Sequence, residues 1–374
     1  MSRDITRRNF IKVGGTAAVA LSGAALLAAC GDTATPASVA TTAATSATTA
    51  AAAAGATTAA AGATTAAATG TTVATSGALI PVKTAFASTT MNFLPWFVAV
   101  DKDIFKKNGM DVSTSFVAAG STIVRSLASG DSMFIATAME EVVIANSQGA
   151  DVVLVSAIND QTPYTLWSLP EIKTIKDLGG GKKVGIYANA SSAEIQMRYV
   201  LEQNGLKPMT DTIILPTGGN AERLASVVSK QTVATLLSPP TDLKAEGQGL
   251  NRLAYMKDII KKYNHEVVAT QGKLTRDNPN LVKSFLKAQS EAILWLKDKA
   301  NRDEAIKIGM KWTKATEDEA TKSYDFLLPM FPDTGALDVD AFNFALDALV
   351  KNNYVDKTYK KEQVLKLDLV PGAK

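Results

Sequence analysis

From Val82 to Ala157 the chain alternates short runs of β-forming residues with amphipathic stretches, and the last run, Val152–Ala157, is apolar without interruption. A strand apolar at every position has to be buried on both faces. With helical stretches between such runs, the pattern predicts a parallel α/β sheet covered by helices. The order is strand Val82–Ala87, helix Leu94–Asn108, strand Asp111–Val117, helix Ser121–Ala128, strand Met133–Thr137, helix Met139–Ser147 and strand Val152–Ala157. Gly109, Gly130 and Gly149 follow the three helices, where a left-handed residue ends a helix at low cost.

The alternation then restarts. Tyr164–Leu169 reads as a crossing strand and Thr174–Leu178 as a turn. Strands are predicted over Lys183–Tyr187, Thr212–Leu215, Val233–Leu237 and Arg252–Met256, with helices over Ser192–Asn204, Ala221–Lys230 and Pro239–Gly247. Glu266–Thr270 is an extended run that leads back. The remainder is helical: Asn280–Lys299, Asp303–Trp312, Glu317–Met330 and Val339–Asn352. The expected architecture is two small α/β lobes joined by hinge crossings, with C-terminal helices appended. Lobe 1 takes residues 79–169 and 266–374, and lobe 2 takes 170–265.

The N-terminal fifth of the chain cannot join either core. From Gly31 to Ser76 it is almost only Ala, Thr, Gly and Ser, with Asp32 as its sole charge and no large apolar residue. Such a segment cannot bury enough surface to offset chain entropy. Residues 30–78 are therefore read as a disordered tether, a coil spanning about 35–40 Å. Before it, residues 1–29 read as an export signal: Arg3, Arg7, Arg8 and Lys12 precede an uncharged Gly/Ala-rich stretch from Val13 to Ala29. Thr6-Arg7-Arg8-Asn9-Phe10-Ile11-Lys12 resembles the twin-arginine motif, with Ile11 in place of Leu. Leu27-Ala28-Ala29-Cys30 resembles a bacterial lipobox, which makes Cys30 the expected site of lipid attachment. Several acyl chains, at about 0.8 kcal/mol per buried CH₂, make a stable membrane anchor. The formal net charge of +3 is the excess carried by Arg3, Arg7, Arg8 and Lys12 over Asp4, so the remaining chain is neutral. That balance offers nothing to nucleic acid. One cysteine and one histidine exclude a disulfide framework and the usual Cys- or His-rich metal sites. No metal, cofactor or catalytic residue is expected.

Four stretches together carry a family resemblance. They are Asn92–Ala99 running into Asp103–Val112, Gly120–Asp131, Ala145–Val152 and Thr174–Gly185. Their order and spacing resemble the nitrate-, sulfonate-, taurine- and thiamine-precursor-binding proteins of ABC importers, over about residues 80–290. The resemblance implies a two-lobed, periplasmic-binding-protein-like fold of type II. It implies a monomeric, non-catalytic receptor in the cell envelope that captures a small solute and delivers it to a permease with its ATPase. Thr137-Ala138-Met139-Glu140-Glu141 departs from the Gly-rich or aromatic pattern of that family, so the ligand is not inherited. The cysteine-rich motif of the fungal thiamine-pyrimidine enzymes is absent.

In open α/β sheets ligands lie beyond the carboxyl ends of the strands. The loops to inspect are Ser88–Trp96, Thr137–Glu141, Ala188–Ser192, Pro216–Asn220 and Ser238–Thr241. Thr89, Thr90 and Asn92 either meet a ligand or cap a helix. Phe93 and Trp96 either stack on a ligand or pack in the core. Thr137 and Met139 fall on the next loop. Glu140 either favours the helix dipole or binds an amine. Asn189, Ser191 and Ser192 open a helix of lobe 2, and Ser238 precedes Pro239-Pro240. Helix N-termini facing one cleft suit a sulfonate or nitrate, yet these loops hold no Arg or Lys, so a neutral or amine-bearing heterocycle such as a pyrimidine is equally open. Two other classes compete. An exported enzyme acting on a small heterocycle lacks a Cys/His cluster, a Walker loop or a Gly-x-Ser-x-Gly motif. A surface adhesion protein predicts a broad apolar patch in place of a deep cleft.

Overall fold

The structure, a computed structural model, describes residues 78–118 and 120–370. The export signal, the Cys30 lipobox and the Ala/Thr tether lie outside the described residues. The first run of elements is β1 (Ile80–Phe86), α1 (Leu94–Asp101), the short α2 (Ile104–Lys107), β2 (Met110–Phe116), α3 (Gly120–Ser129), β3 (Phe134–Ala138), α4 (Met139–Ser147) and β4 (Val152–Ala157). The second is β5 (Thr165–Ser168), β6 (Lys182–Ile186), α5 (Ser192–Gln203), β7 (Thr212–Pro216), α6 (Asn220–Val228), β8 (Ala234–Leu237), α7 (Thr241–Gly247), β9 (Asn251–Tyr255) and α8 (Met256–Ile259). β10 (Glu266–Gln271), α9 (Gly272–Asp277), α10 (Pro279–Lys297), α11 (Arg302–Thr313), α12 (Glu317–Leu327) and α13 (Val339–Lys351) complete it.

These strands make two five-stranded sheets, ordered β2-β1-β3-β10-β4 and β7-β6-β8-β5-β9. Each is mixed where the sequence pattern predicts a parallel sheet. β1 pairs in parallel with β2 and β3, and β6 with β7 and β8. β10 is antiparallel to both β3 and β4, and β5 to both β8 and β9. The reversed strand of each sheet is the one that enters directly from the other sheet. The chain crosses over 158–164 and returns over 260–265. The two crossings run side by side, with Tyr263 N donating to Asp160 O at 3.0 Å and His265 N to Asn159 O at 3.1 Å. Thr165–Ser168 is thus a full member of the second sheet, whereas the sequence reading sets the lobe boundary after residue 169. Pairing with β8 and β9 is a non-local property that no local pattern reports.

The helix expected over Leu94–Asn108 is two helices. Lys102 ends α1, and Asp103 takes a left-handed conformation, φ 52°, before α2 begins. The kink sends Phe105 into the core of the first lobe. There Phe285 from α10 stacks on Phe134 at 3.9 Å and on Phe105 at 4.8 Å, and Trp96 lies 5.5 Å from the same ring. α10 and α11 pack on α1, and α13 packs against α4 of one lobe and α5 of the other. Lys351 of α13 pairs with Glu202 of α5 at 2.7 Å. Among the described residues no helix is long and apolar enough to cross a membrane.

Candidate functional site

The strand-to-helix loops at the carboxyl ends of both sheets face one another across a cavity of about 620 Å³. From the first lobe come Ser88, Thr89, Thr90 and Asn92 after β1, Phe116 at the end of β2 and Ala118 beyond it, Thr137, Ala138 and Glu141 at the junction of β3 and α4, and His265 and Glu266 at the start of β10. The second lobe supplies Tyr187, Ser191 and Ser192 after β6, Gly218 to Arg223 after β7, and Ser238, Pro240, Thr241 and Lys244 after β8. Tyr164, on the crossing, closes the back. Two bonds tie the lobes across it: Met91 N donates to Pro239 O at 3.3 Å, and Tyr187 Oη donates to Ala118 O at 3.1 Å.

Local chemistry explains how these groups are held. Ser191 caps α5, accepting from Glu194 N at 3.4 Å and donating to Ala188 O at 2.6 Å. Asn220, at the start of α6, accepts from Ser238 N at 3.0 Å and donates to Ser238 Oγ at 3.0 Å, fixing two loops of the second lobe together. Arg223, one turn along α6, is buried. It donates to Leu236 O at 2.8 Å, Gly218 O at 3.0 Å and Asn220 Oδ1 at 2.8 Å. The positive charge is thereby built into the wall of the second lobe, with no carboxylate in ion-pair distance among the described residues.

The first lobe presents carboxyl groups. Glu141 and Glu266 line the cavity, and Glu140 lies buried behind them with Tyr263 Oη donating to it. Burial pushes the carboxyls of Glu140 and Glu141 up to about 7, against the hydrogen bonds from Tyr263 and Thr137 respectively. Glu266 is pushed well above its ordinary range by burial first, and then by Glu141 and Glu140. Burial lowers His265 to about 3, with Arg223 adding to the effect, so its imidazole is neutral at ordinary pH. Among the described residues no group of three or more His, Cys, Asp or Glu is placed to hold a metal ion.

The profile of the family described as NMT1/THI5 like matches residues 90–302, more than half of the chain. The chain belongs to the NMT1/THI5-like family. Its fold is shared by solved structures of low identity. The ligand-binding component of an ABC-type import system from Staphylococcus aureus, solved with zinc bound, is 13% identical with a TM-score of 0.68, over 79% of this chain and 99% of that one. The periplasmic nitrate-binding protein NrtA from Synechocystis PCC 6803 is 17% identical at a TM-score of 0.67, over 78% and 87%. The periplasmic aliphatic sulphonate-binding protein SsuA from Escherichia coli is 20% identical at 0.64, over 76% and 91%. These establish the two-lobed periplasmic-binding-protein architecture. A comparison with curated protein sequences finds no match.

Within this NMT1/THI5-like fold the residues expected at the site divide. Thr89, Thr90, Asn92, Thr137, Ser191, Ser192 and Ser238 line the cavity. Phe93, Trp96, Met139, Glu140 and Asn189 do not. Phe93 and Trp96 are buried in the aromatic core, where Trp96 Nε1 donates to Thr114 Oγ1 at 3.2 Å. Met139 packs in the core beneath α4, and Glu140 spends its carboxylate on Tyr263. Sequence reasoning included Glu141 in a loop to inspect without singling it out, and passed over Arg223, Glu266, Phe116, Tyr164 and Tyr187. Glu266 had a readable signal, a charge at the mouth of the apolar run Val267–Ala269.

Proposed function

We propose that the chain is the solute-binding component of an ABC import system, anchored to the extracytoplasmic face of a membrane through lipid on Cys30. A small solute enters the cavity between the lobes, the lobes close about the paired crossings, and the loaded form docks on a permease served by an ATPase. The observation that carries this reading is the cavity itself. It draws its walls from the strand ends of two separate sheets, and its volume of about 620 Å³ falls within the roughly 300–1,000 Å³ of small-molecule sites. Two neighbouring crossings leave rotation of one lobe against the other as the natural motion. Family membership and the shared fold with import-system binding components support the same conclusion. Tethering through residues 30–78 suits a receptor that has to reach a partner while staying on the membrane.

The test is direct. Full-length protein purified from its cells is denatured, and the released small molecules are identified by mass spectrometry. Return of the released solute to stripped protein is expected to restore one-to-one binding and to reduce the radius of gyration in solution scattering. Binding without any compaction refutes lobe closure. In parallel, Cys30→Ser is expected to shift the protein from membrane to soluble fractions, and unchanged membrane retention refutes the anchor.

A further inference from the structure

We propose that Glu141 and Glu266 form a subsite for a protonated nitrogen group, an amine or an amidinium, of the solute. The inference rests on the receptor reading above and names the ligand chemistry that reading leaves open. Both carboxylates line the cavity, and among the described residues neither has a lysine or arginine within ion-pair distance. Glu141 accepts one hydrogen bond, from Thr137 Oγ1. Its carboxylate lies against Gly120, where a Cβ would fall on top of it, so the small residue at the start of α3 keeps the seat open. Glu266 is only 8% exposed. The Asn92 side-chain amide donates toward it, and among the described residues no cation does. Nε2 of His265 lies 3.7 Å from the Glu266 carboxyl.

The surrounding atoms ask for donors. Asn92 Oδ1 is buried beside Glu266 with no partner, and His265 Nδ1 is likewise unpaired. Two carboxyl groups and an amide oxygen share this wall; once the carboxyls give up their protons all three are acceptors, and a buried acceptor without a donor costs about 1–3 kcal/mol. Nitrate and sulfonates carry acceptors only and leave that wall unsatisfied. A bare metal ion lacks a ligand set here. A group with several N–H donors and a positive charge satisfies it, and the aromatic residues Phe116, Tyr164 and Tyr187 line the same cavity. The positive side chains are on the other wall, where Arg223 is occupied by Leu236, Gly218 and Asn220 and Lys244 is exposed.

Proton linkage gives this inference a signature of its own. Burial holds Glu141 near 7 and pushes Glu266 well above its ordinary range, with Glu140 and Tyr263 behind them and Tyr164, Tyr187, His265 and Arg223 around them. The empty site therefore holds protons near neutrality, and an entering cation expels them. Affinity for a cation rises with pH, up to about tenfold per unit for each proton released, whereas affinity for an anion falls.

The experiment is calorimetric titration of the full chain with benzamidine, benzylamine, benzenesulfonate and nitrate at pH 6 and pH 8. Benzamidine or benzylamine is expected to bind, more tightly at pH 8, with proton release seen as a dependence on buffer ionisation heat. Glu266→Gln is expected to weaken that binding about tenfold or more and to flatten its pH slope, without lowering the melting temperature. Gly120→Ala, which displaces Glu141, is expected to weaken it in the same way. Binding of benzenesulfonate or nitrate, tighter at pH 6 and with both bases silent, overturns the cation subsite and leaves the receptor reading standing. Silence of all four probes, together with no releasable solute, overturns both.

Discussion

Replacing Glu141 by Gln offers a measurable separation of stability from function. In the folded chain burial raises this carboxyl from 4.5 to about 7. A carboxyl that holds its proton more tightly when folded favours folding below its unfolded value, and that advantage is lost as pH rises toward the folded value. Between about pH 4.5 and 7 the wild-type chain therefore loses stability through Glu141. A shift of this size, at 1.36 kcal/mol per unit, amounts to about 3 kcal/mol at pH 8. The carboxamide is neutral at every pH and can still accept from Thr137 Oγ1. At pH 5, where the folded wild-type carboxyl is protonated, the two side chains are near-isosteres and the difference falls to about 1 kcal/mol or less. Removing the charge of Glu141 also relieves Glu266, whose raised value owes part of its size to Glu141, so the effects add. With about 290 described residues, a gain of about 3 kcal/mol raises the melting temperature by roughly 5 °C. The assay is differential scanning calorimetry of ligand-free protein at pH 5 and pH 8. An equal gain at both pH values assigns the effect to packing and refutes the charge argument, and a loss at pH 8 refutes it outright.

Two further substitutions test the surrounding fold. Trp96→Ala removes a ring packed between Phe105 and Phe285 and is expected to cost about 3–5 kcal/mol in urea unfolding while leaving solute affinity intact, since the ring does not line the cavity. Gly309→Ala places a Cβ 2.6 Å from Met91 Sδ and 2.8 Å from its Cε. Because methionine is flexible, the cost by the same assay is expected to be about 1–3 kcal/mol, and Met91→Ala in the same chain should recover part of it.

Much of the fold was legible because it is written in local patterns. Val152–Ala157 was read to the residue as β4, since burial on both faces leaves an unbroken apolar run. Met139–Ser147 was read to the residue as α4, between a strand and the terminal Gly149. The break between α1 and α2 was not legible, because it depends on Asp103 adopting φ 52° so that Phe105 can reach Phe285, a residue far along the chain. The membership of β5 and β10 was hidden for the same reason. At the site, Ser, Thr and Asn at strand ends led to seven lining residues. Arg223 and Glu141 were missed because, within a helix, a charged residue normally marks the solvated face, and here neighbouring loops and helix starts of the same lobe enclose it. Trp96 and Phe93 follow the same loop as Asn92 yet rotate into the core, which one-dimensional proximity cannot distinguish.

The place of β10 between β3 and β4 has a consequence for synthesis. A ribosome that has made Ala157 has delivered four of the strands of the first sheet, but the two that flank the gap have nothing between them until Glu266 emerges, more than a hundred residues later. At about 5–20 residues per second that interval is roughly 5–20 s. The second sheet, β5 to β9, is contiguous in the chain and is complete before the gap closes. Translation order therefore makes the inserted lobe the first to finish and leaves the first with two raw edges, a window in which an unpaired strand can meet the wrong partner.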